Sequence, residues 1–360
     1  MSITTFSILL FLGSFLTSFV LIPKIRAIAK NSNFNSIPNH RSSHKMAVPN
    51  IGGVAFFVSL MLSFYFIENF DFLHIISTII PGLTIIFIIG LKDDLVLVAP
   101  STKIFAQIIS GLFLASHPAF ELLNLKGFIG VFEINFYIGV LIVVFLNVVI
   151  INAINLIDGI DSLAGIISIL IFGSYGVLYF KLEQYFFTSL CIVMIGSLLA
   201  FIRFNVSKEK KIFMGDTGSM IVGFLISIMT LRLLTTPIDE LRGNNFQFQN
   251  LPFLIFAFLS LPIIDMFRVF ILRIIDKKSP FSADRNHCQH IILDYYGWSH
   301  VKVSLFLASI YFVNVLIFSY LMNNLHQAII FVIIFILLII YFYTLSKMKS
   351  RILVNMKNTK

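Results

Sequence analysis

The chain has 360 residues, of which 58% are hydrophobic and 12% are charged, and its net charge is +9. A soluble domain carries about 25% charged residues, so this composition argues against a soluble protein and indicates a polytopic membrane protein. The two cysteines, Cys191 and Cys288, exclude a disulfide framework.

Eleven apolar segments are each long enough to form a membrane helix. A span needs about 20 residues to cross ~30 Å of hydrocarbon, and lipid offers backbone groups no partners outside the helix. In chain order the segments are 2–22, 50–67, 73–91, 104–120, 136–154, 162–180, 185–204, 218–235, 251–273, 303–322 and 326–345. We therefore expect an all-α polytopic integral membrane protein with about 11 transmembrane helices, and a short β-hairpin over 126–136.

The basic residues divide unevenly between the two sides of the membrane. Of the 26 Lys and Arg residues, only Lys126, Lys181, Arg232 and Arg242 lie on the side of the even-numbered loops. Because cytoplasmic loops are enriched in Lys and Arg, we expect the N-terminus outside and the C-terminus in the cytoplasm. The net positive charge is thus mainly a topology signal, and we expect no nucleic-acid partner.

Five polar stretches interrupt the apolar pattern, and all five lie in loops on the predicted cytoplasmic side. They are RSSHKMAVPNIGG (41–53), GLKDD (90–94), NAINLIDGIDS (152–162), FMGDTGS (213–219) and DRNHCQH (284–290). The loops on the other side carry nothing comparable. This segregation predicts one shared site at the cytoplasmic membrane surface.

The stretches combine carboxylates with cations. The carboxylates are Asp93, Asp94, Asp158, Asp161 and Asp216, and the cationic candidates are Arg41, His44, Lys103 and Arg285. Clustered carboxylates repel each other at low dielectric, and a divalent cation relieves that repulsion. Mg²⁺ prefers carboxylate and phosphate oxygens, with Mn²⁺ as an alternative. Carboxylates, a metal and cations are the equipment of phosphoryl transfer, and the position at the membrane suggests a lipid substrate.

Simpler explanations exist for each stretch. The pair Asp93-Asp94 can be a solvated helix end, Asn152 and Asn155 can hydrogen-bond between helices, and Asp265 with Arg268 can be a plain ion pair. From another functional class, an ion-coupled transporter or channel also uses carboxylates and broken helices. Such a protein would place its polar groups near the midplane and show paired repeats, and this sequence has neither.

In order and spacing, the five stretches resemble the polyprenyl-phosphate N-acetylhexosamine-1-phosphate transferases, over about residues 38 to 300. The resemblance implies transfer of an N-acetylhexosamine 1-phosphate, most simply of N-acetylglucosamine or a derivative, from a UDP-sugar to undecaprenyl phosphate. The products are the lipid diphosphosugar and UMP, and the reaction starts cell-surface polysaccharides such as O-antigen and lipopolysaccharide. The same family includes phospho-N-acetylmuramoyl-pentapeptide transferase, which remains an alternative.

The resemblance also implies roles for single residues. Asp216 is the firmest Mg²⁺ ligand, with Asn155 beside it. Asp93 and Asp94 place the metal and phosphates or activate the lipid phosphate, and Asp158 and Asp161 orient the nucleotide sugar. The phosphate and sugar contacts fall to Arg41, His44, Lys103, Asn155, Arg285, His287 and His290. Direct attack by the lipid phosphate and a double displacement through an aspartyl phosphate both remain open.

The resemblance extends to the setting of the enzyme. It implies a multi-pass protein of the bacterial cytoplasmic membrane, with its active site facing the cytoplasm and the bilayer as a partner. We expect residues 1–346 to form a single transmembrane catalytic domain and 347–360 to form a basic cytoplasmic tail. A homodimer is an open alternative to a monomer.

Two positions depart from the family pattern. Ser162 replaces the second glycine of the Asp-Gly-x-Asp-Gly motif, and Gln289 replaces a histidine in the His-x-His-His motif. Glutamine keeps hydrogen-bonding capacity but cannot take up a proton. We therefore expect no acid–base role at position 289.

Overall fold

The structure is a computed structural model that describes residues 2–31, 48–71, 74–241, 247–279 and 284–358. The helices are α1 (Ile3–Asn31), α2 (Gly53–Ile67), α3 (Ile76–Leu95), α4 (Pro100–Ala115), α5 (Phe136–Ile157), α6 (Leu163–Lys181), α7 (Tyr185–Asn205), α8 (Gly215–Thr235), α9 (Ile238–Leu241), α10 (Leu251–Ile275), α11 (Cys288–Tyr296), α12 (His300–Asn324) and α13 (Gln327–Asn358). The predicted sites Arg41 and His44 lie outside the described residues.

The prediction of an all-α polytopic membrane protein is confirmed. Within the described ranges, ten helices are long and apolar enough to cross a membrane. The fourth predicted span corresponds to α4, whose 16 residues extend only about 24 Å. The predicted hairpin is also present, as antiparallel strands β1 (Asn124–Phe128) and β2 (Val131–Glu133). Beyond the predicted last span, α13 continues through the basic tail to Asn358.

Helix α8 lies at the centre of the bundle, with 94% of its most apolar stretch buried. It begins with small residues, which allow neighbouring backbones to approach closely. A Cβ at Gly53 of α2 would overlap the backbone of Gly218, and a Cβ at Gly90 of α3 would lie 2.7 Å from Thr217 Cα. The sequence GDTGS therefore lets α2 and α3 contact the start of α8 directly.

A buried layer of hydrogen bonds joins α4, α5 and α8. Asn147 Nδ2 donates to the carbonyl of Gln107 at 2.8 Å and to Ser110 Oγ at 3.0 Å, and Ser227 Oγ donates to Asn147 Oδ1 at 2.6 Å. One turn further, Asn152 Nδ2 donates to Gln107 Oε1 at 2.6 Å. Asn152 thus makes the interhelical hydrogen bond that its simpler interpretation predicted. These bonds set the register of α4, α5 and α8, three of the four helices that carry the candidate site.

We expect Gly53→Ala to lower the thermal stability of the purified protein, because the added methyl group has no space against the Gly218 backbone. Overpacking costs about 1–3 kcal/mol, and backbone atoms cannot move aside as a side chain can. Gly13→Ala in α1 is the matched control, since its Cβ would meet nothing within 4 Å. Thermal unfolding of both variants in detergent tests this. A Gly53→Ala protein as stable as the control would contradict the close contact.

Candidate functional site

The ends of α3, α4, α5 and α8 bring polar side chains together at one end of the bundle. Lys103 Nζ lies 2.6 Å from Asp93 Oδ2 and also donates to Asp216 Oδ2. Asp93 Oδ1 accepts a hydrogen bond from the backbone N–H of Val98 at 2.7 Å. An ammonium group from α4 therefore lies between carboxylates of α3 and α8. We call Asp93, Asp94, Asp158, Asp216 and Lys103 the aspartate cluster.

Asp94 caps the N-terminus of α8. Its carboxylate accepts hydrogen bonds from the backbone N–H groups of Asp216 (2.8 Å) and Thr217 (2.9 Å), and from Thr217 Oγ1 (2.5 Å). Gly215 has φ +72°, and a Cβ there would lie 2.6 Å from Asp94 Oδ2. Glycine is the residue that adopts this conformation without a steric cost. Both oxygens of Asp94 are thus engaged in holding the helix start that carries Asp216.

Asp158 lies where α5 stops. The helix ends at Ile157, and a turn follows before α6 begins at Leu163. Among the described residues, none donates a hydrogen bond to the Asp158 side chain. Burial, together with the negative charges of Asp216, Asp94 and Asp161, raises the pKa of its carboxyl to about 7. One turn earlier, Asn155 Nδ2 donates to Ser219 Oγ at 2.8 Å, which ties α5 to the first turn of α8.

Asp161 has cationic partners of its own. Its Oδ2 accepts a hydrogen bond from Lys211 Nζ at 2.6 Å and lies 2.9 Å from His300 Nδ1. Although burial raises the pKa of Asp161, His300 and Lys211 hold it below its ordinary value. Neither partner belongs to the five polar stretches, although Lys211 stands only two residues before FMGDTGS. Asp161 therefore joins the turn after α5 to α12 and to the loop before α8.

The structure shows which backbone conformation position 162 requires. Its φ of +67° is left-handed, a conformation that glycine adopts more easily than serine. The backbone N–H of Ser162 donates to Asn205 Oδ1 at 2.6 Å, which holds the turn in place. The family glycine thus meets a backbone requirement that this chain satisfies with serine.

We call residues 284–290 the closing loop. The two histidines of this loop, His287 and His290, lie in different surroundings. His287 is 5% exposed, with Nδ1 2.8 Å from Asp265 Oδ2 and Nε2 3.4 Å from Arg273 Nη2. Both of its ring nitrogens are therefore engaged with α10. His290 is directed at the turn after α5, since a Cβ on Gly159 would lie 3.0 Å from His290 Nε2.

The charge of His290 and the hydrogen-bond partners of Gln289 and Arg285 limit the roles that the closing loop can have. Burial, together with the charges of Arg285 and His287, lowers the pKa of His290 to about 4, so its imidazole is neutral at pH 7. Gln289 is fully buried, and its Nε2 donates weakly to the Leu156 carbonyl at 3.4 Å. Arg285 is directed at α11, where its Nη2 donates to Asp294 Oδ1 at 2.8 Å.

The structure thus separates the predicted site residues into three sets. Asp93, Asp94, Lys103, Asn155, Asp158 and Asp216 come together at the ends of α3, α4, α5 and α8, and His290 reaches the adjoining turn. Asp161 lies in the same turn within its own ion pair. His287 and Arg285 make their contacts with α10 and α11 instead, and their predicted diphosphate contacts gain no support from this placement.

The oxygen ligands at the cluster fit a magnesium ion. In the described part of the chain, no three His, Cys, Asp or Glu side chains are grouped tightly enough to hold a metal. However, Mg²⁺ is usually bound by one or two carboxylates, with waters and substrate phosphates completing the shell. The Lys103 ammonium already lies between Asp93 and Asp216, so this position favours positive charge. Asp216, Asp93 and the Oδ1 of Asn155 are the residues that would hold the ion.

Comparison with known proteins agrees with this geometry. Residues 75–234 match the family model described as glycosyl transferase family 4, a range that includes every residue of the aspartate cluster. The chain is 27% identical to undecaprenyl-phosphate alpha-N-acetylglucosaminyl 1-phosphate transferase of Yersinia pestis, over 78% of this chain and 74% of that protein. It is 28% identical to a probable undecaprenyl-phosphate N-acetylglucosaminyl 1-phosphate transferase of Bacillus subtilis, over 81% and 78%. It is 26% identical to the Escherichia coli K12 alpha-N-acetylglucosaminyl enzyme, over 74% and 71%. Over residues 75–234 this chain is therefore similar to glycosyl transferase family 4.

Proposed function

We propose that this protein transfers N-acetylglucosamine 1-phosphate from UDP-N-acetylglucosamine to undecaprenyl phosphate and so starts a cell-surface polysaccharide. The observation that carries the proposal is the convergence of Asp93, Lys103 and Asp216 beside Asp158, at one end of a membrane-spanning bundle. Phosphoryl transfer depends mainly on positioning and on neutralising phosphate charge. In support, the names of two relatives described above specify N-acetylglucosaminyl 1-phosphate transfer and undecaprenyl phosphate.

The reaction exchanges one phosphoanhydride for another. An oxygen of the lipid phosphate forms a bond to the β-phosphorus of the UDP-sugar. The bond from that phosphorus to the bridging oxygen breaks, and UMP leaves with the electron pair. Direct attack and a double displacement through an aspartyl phosphate give the same products.

The side chains divide this task by their contacts. Lys103 supplies the positive charge that binds substrate phosphates, and it is oriented by Asp93 and Asp216. Asp158, which has no hydrogen-bond donor among the described residues, accepts hydrogen bonds from hydroxyl groups of the nucleotide sugar. The neutral His290 imidazole offers a further donor or acceptor at the same turn. Asp94 acts indirectly, because its hydrogen bonds set the position of Asp216.

A magnesium ion held by Asp216 and Asp93, with Asn155 beside them, would supply the charge neutralisation that the diphosphate requires. The test uses membranes containing the protein, radiolabelled UDP-N-acetylglucosamine and undecaprenyl phosphate. We expect a labelled lipid product with Mg²⁺, none with EDTA, and recovery with added Mg²⁺ or Mn²⁺. A panel of UDP-sugars that includes UDP-N-acetylmuramoyl-pentapeptide identifies the sugar.

Asp216→Asn should lose more than about tenfold in turnover, equivalent to ~1.4 kcal/mol of transition-state stabilisation. Vector membranes are the control for endogenous activity. Absence of any labelled lipid with every sugar would refute the proposed function and favour a transporter. Full activity in EDTA would refute the metal alone.

Substitutions of Asp94 and Asp158 should have opposite effects on the thermal stability of the protein. Asp94→Asn should lower the melting temperature, because an amide cannot accept from both backbone N–H groups of α8, and an unsatisfied buried donor costs about 1–3 kcal/mol. Asp158→Asn should leave the melting temperature equal or higher, because it removes a buried charge among like charges. Both variants should lose activity. Thermal unfolding and the lipid assay on the same preparations test this, and equal destabilisation by the two changes would show that the assignment is wrong.

The orientation proposed here places the aspartate cluster at the cytoplasmic face of a bacterial inner membrane, with the N-terminus outside. Single cysteines at Asn324 and Lys210 would occupy exposed positions at opposite ends of the bundle. In intact cells, an impermeant thiol reagent should label position 324 and not 210. The native Cys191 and Cys288 are fully buried and should give little background, which the unmodified protein controls. Labelling at position 210 and not at 324 would show that the orientation is opposite to the one proposed.

A further inference from the structure

The closing loop is held by a buried carboxylate that no predicted motif contains. Asp265 of α10 is 3% exposed. Its Oδ1 accepts hydrogen bonds from Arg268 Nη2 (2.9 Å), the backbone N–H of Cys288 (3.0 Å) and Tyr341 Oη (3.1 Å), while its Oδ2 lies 2.8 Å from His287 Nδ1. One carboxylate therefore connects α10, the closing loop, the first turn of α11 and α13.

A second set of contacts holds the closing loop at Asn286 and Asp284. Arg268 donates to the backbone carbonyl of Asn286, and Lys349 Nζ donates to the Asn286 side-chain oxygen at 2.5 Å. Arg273 Nε donates to Asp284 Oδ2 at 2.9 Å. Both Tyr341 and Lys349 belong to α13, so the last helix contacts the closing loop directly through Lys349 and supports it through Asp265 by way of Tyr341.

These two contacts lie on one face of a helix that otherwise packs little against the protein. Only 11% of the most apolar stretch of α13 is buried. Tyr341, Leu345 and Lys349 are spaced four residues apart, which places them on the same side of a helix, and Leu345 is only 4% exposed. Tyr343 and Lys347 lie on the other side and are exposed. The buried stripe of α13 is thus directed at the closing loop and α11.

We propose that Tyr341 and Lys349 are positioning residues for His290, an inference that rests on the proposed function. Cys288 and His290 both belong to the first turn of α11. When Asp265 holds the Cys288 N–H and Lys349 holds Asn286, the start of α11 has one orientation. That orientation directs His290 at Gly159, next to Asp158. Through this chain of contacts, α13 sets how the loop meets a bound nucleotide sugar.

Hydrogen–deuterium exchange of the purified full-length protein tests the physical link without substrate. In Tyr341→Phe, peptides covering 284–297 should exchange at least about threefold faster than in the wild type, because Asp265 loses one donor. Tyr343→Phe is the matched control, since it removes the same hydroxyl from the exposed side two residues away. Peptides from α5 and α8 should not change in either variant.

Steady-state kinetics test the functional link. Tyr341→Phe and Lys349→Met should each raise the KM for UDP-N-acetylglucosamine at least about fivefold, with kcat within about twofold of the wild type, because the loop acts through substrate binding. Lys349→Arg should restore most of the loss, since it keeps a donor that can reach Asn286. Lys347→Met is the control on the exposed face and should match the wild type.

Exchange in Tyr341→Phe that matches Tyr343→Phe would overturn the proposal, and so would faster loop exchange with an unchanged KM. A fall in kcat with an unchanged KM would also overturn it, because the loop would then not act through binding. If the wild type itself makes no labelled lipid, the proposed function fails, whereas the exchange comparison still decides whether α13 holds the loop.

Discussion

The candidate site depends on one interaction, the capping of α8 by Asp94. The free N–H groups at a helix start need acceptors, and here a carboxylate from α3 supplies them in the interior of a membrane protein. The cap can form because Gly90 and Gly215 leave room for close approach. Asp216 follows immediately, and Ser219 in the same turn accepts the hydrogen bond from Asn155. The position of the predicted metal ligand is therefore a consequence of how two helices meet.

The carboxylates of the candidate site repel one another. The groups that offset this repulsion differ from one carboxylate to the next. Asp94 is stabilised by helix N–H groups, which carry partial positive charge. Asp93 and Asp216 share the Lys103 ammonium, and Asp161 has Lys211. Asp158 has no such compensation among the described residues. A carboxylate left in that state is a candidate for substrate binding, because ligand contacts can replace the missing partners.

The closing loop shows why neighbouring histidines can differ in role. His287 is buried between Asp265 and Arg273, and its engaged nitrogens make it part of the support. His290 lies three residues later on the first turn of α11 and is directed at the α5 turn. Support of this kind from a second set of side chains is a general requirement for a precisely held site. Here it reaches as far as α13, well beyond the conspicuous polar stretches.

The sequence by itself determined the membrane class, the existence of the long helices, the hairpin and the five polar stretches. These follow from apolar length and composition, which are local properties. It also indicated the residues that meet at the site, because charged side chains are costly in a membrane and therefore conspicuous. Only the tertiary structure decided that Asp94 caps a helix while Asp158 receives no hydrogen bond from any described residue, since similar residues differ only in what surrounds them. The same holds for Asp265 and Tyr341, whose contacts join segments 76 residues apart, a distance along the chain over which no local pattern carries information.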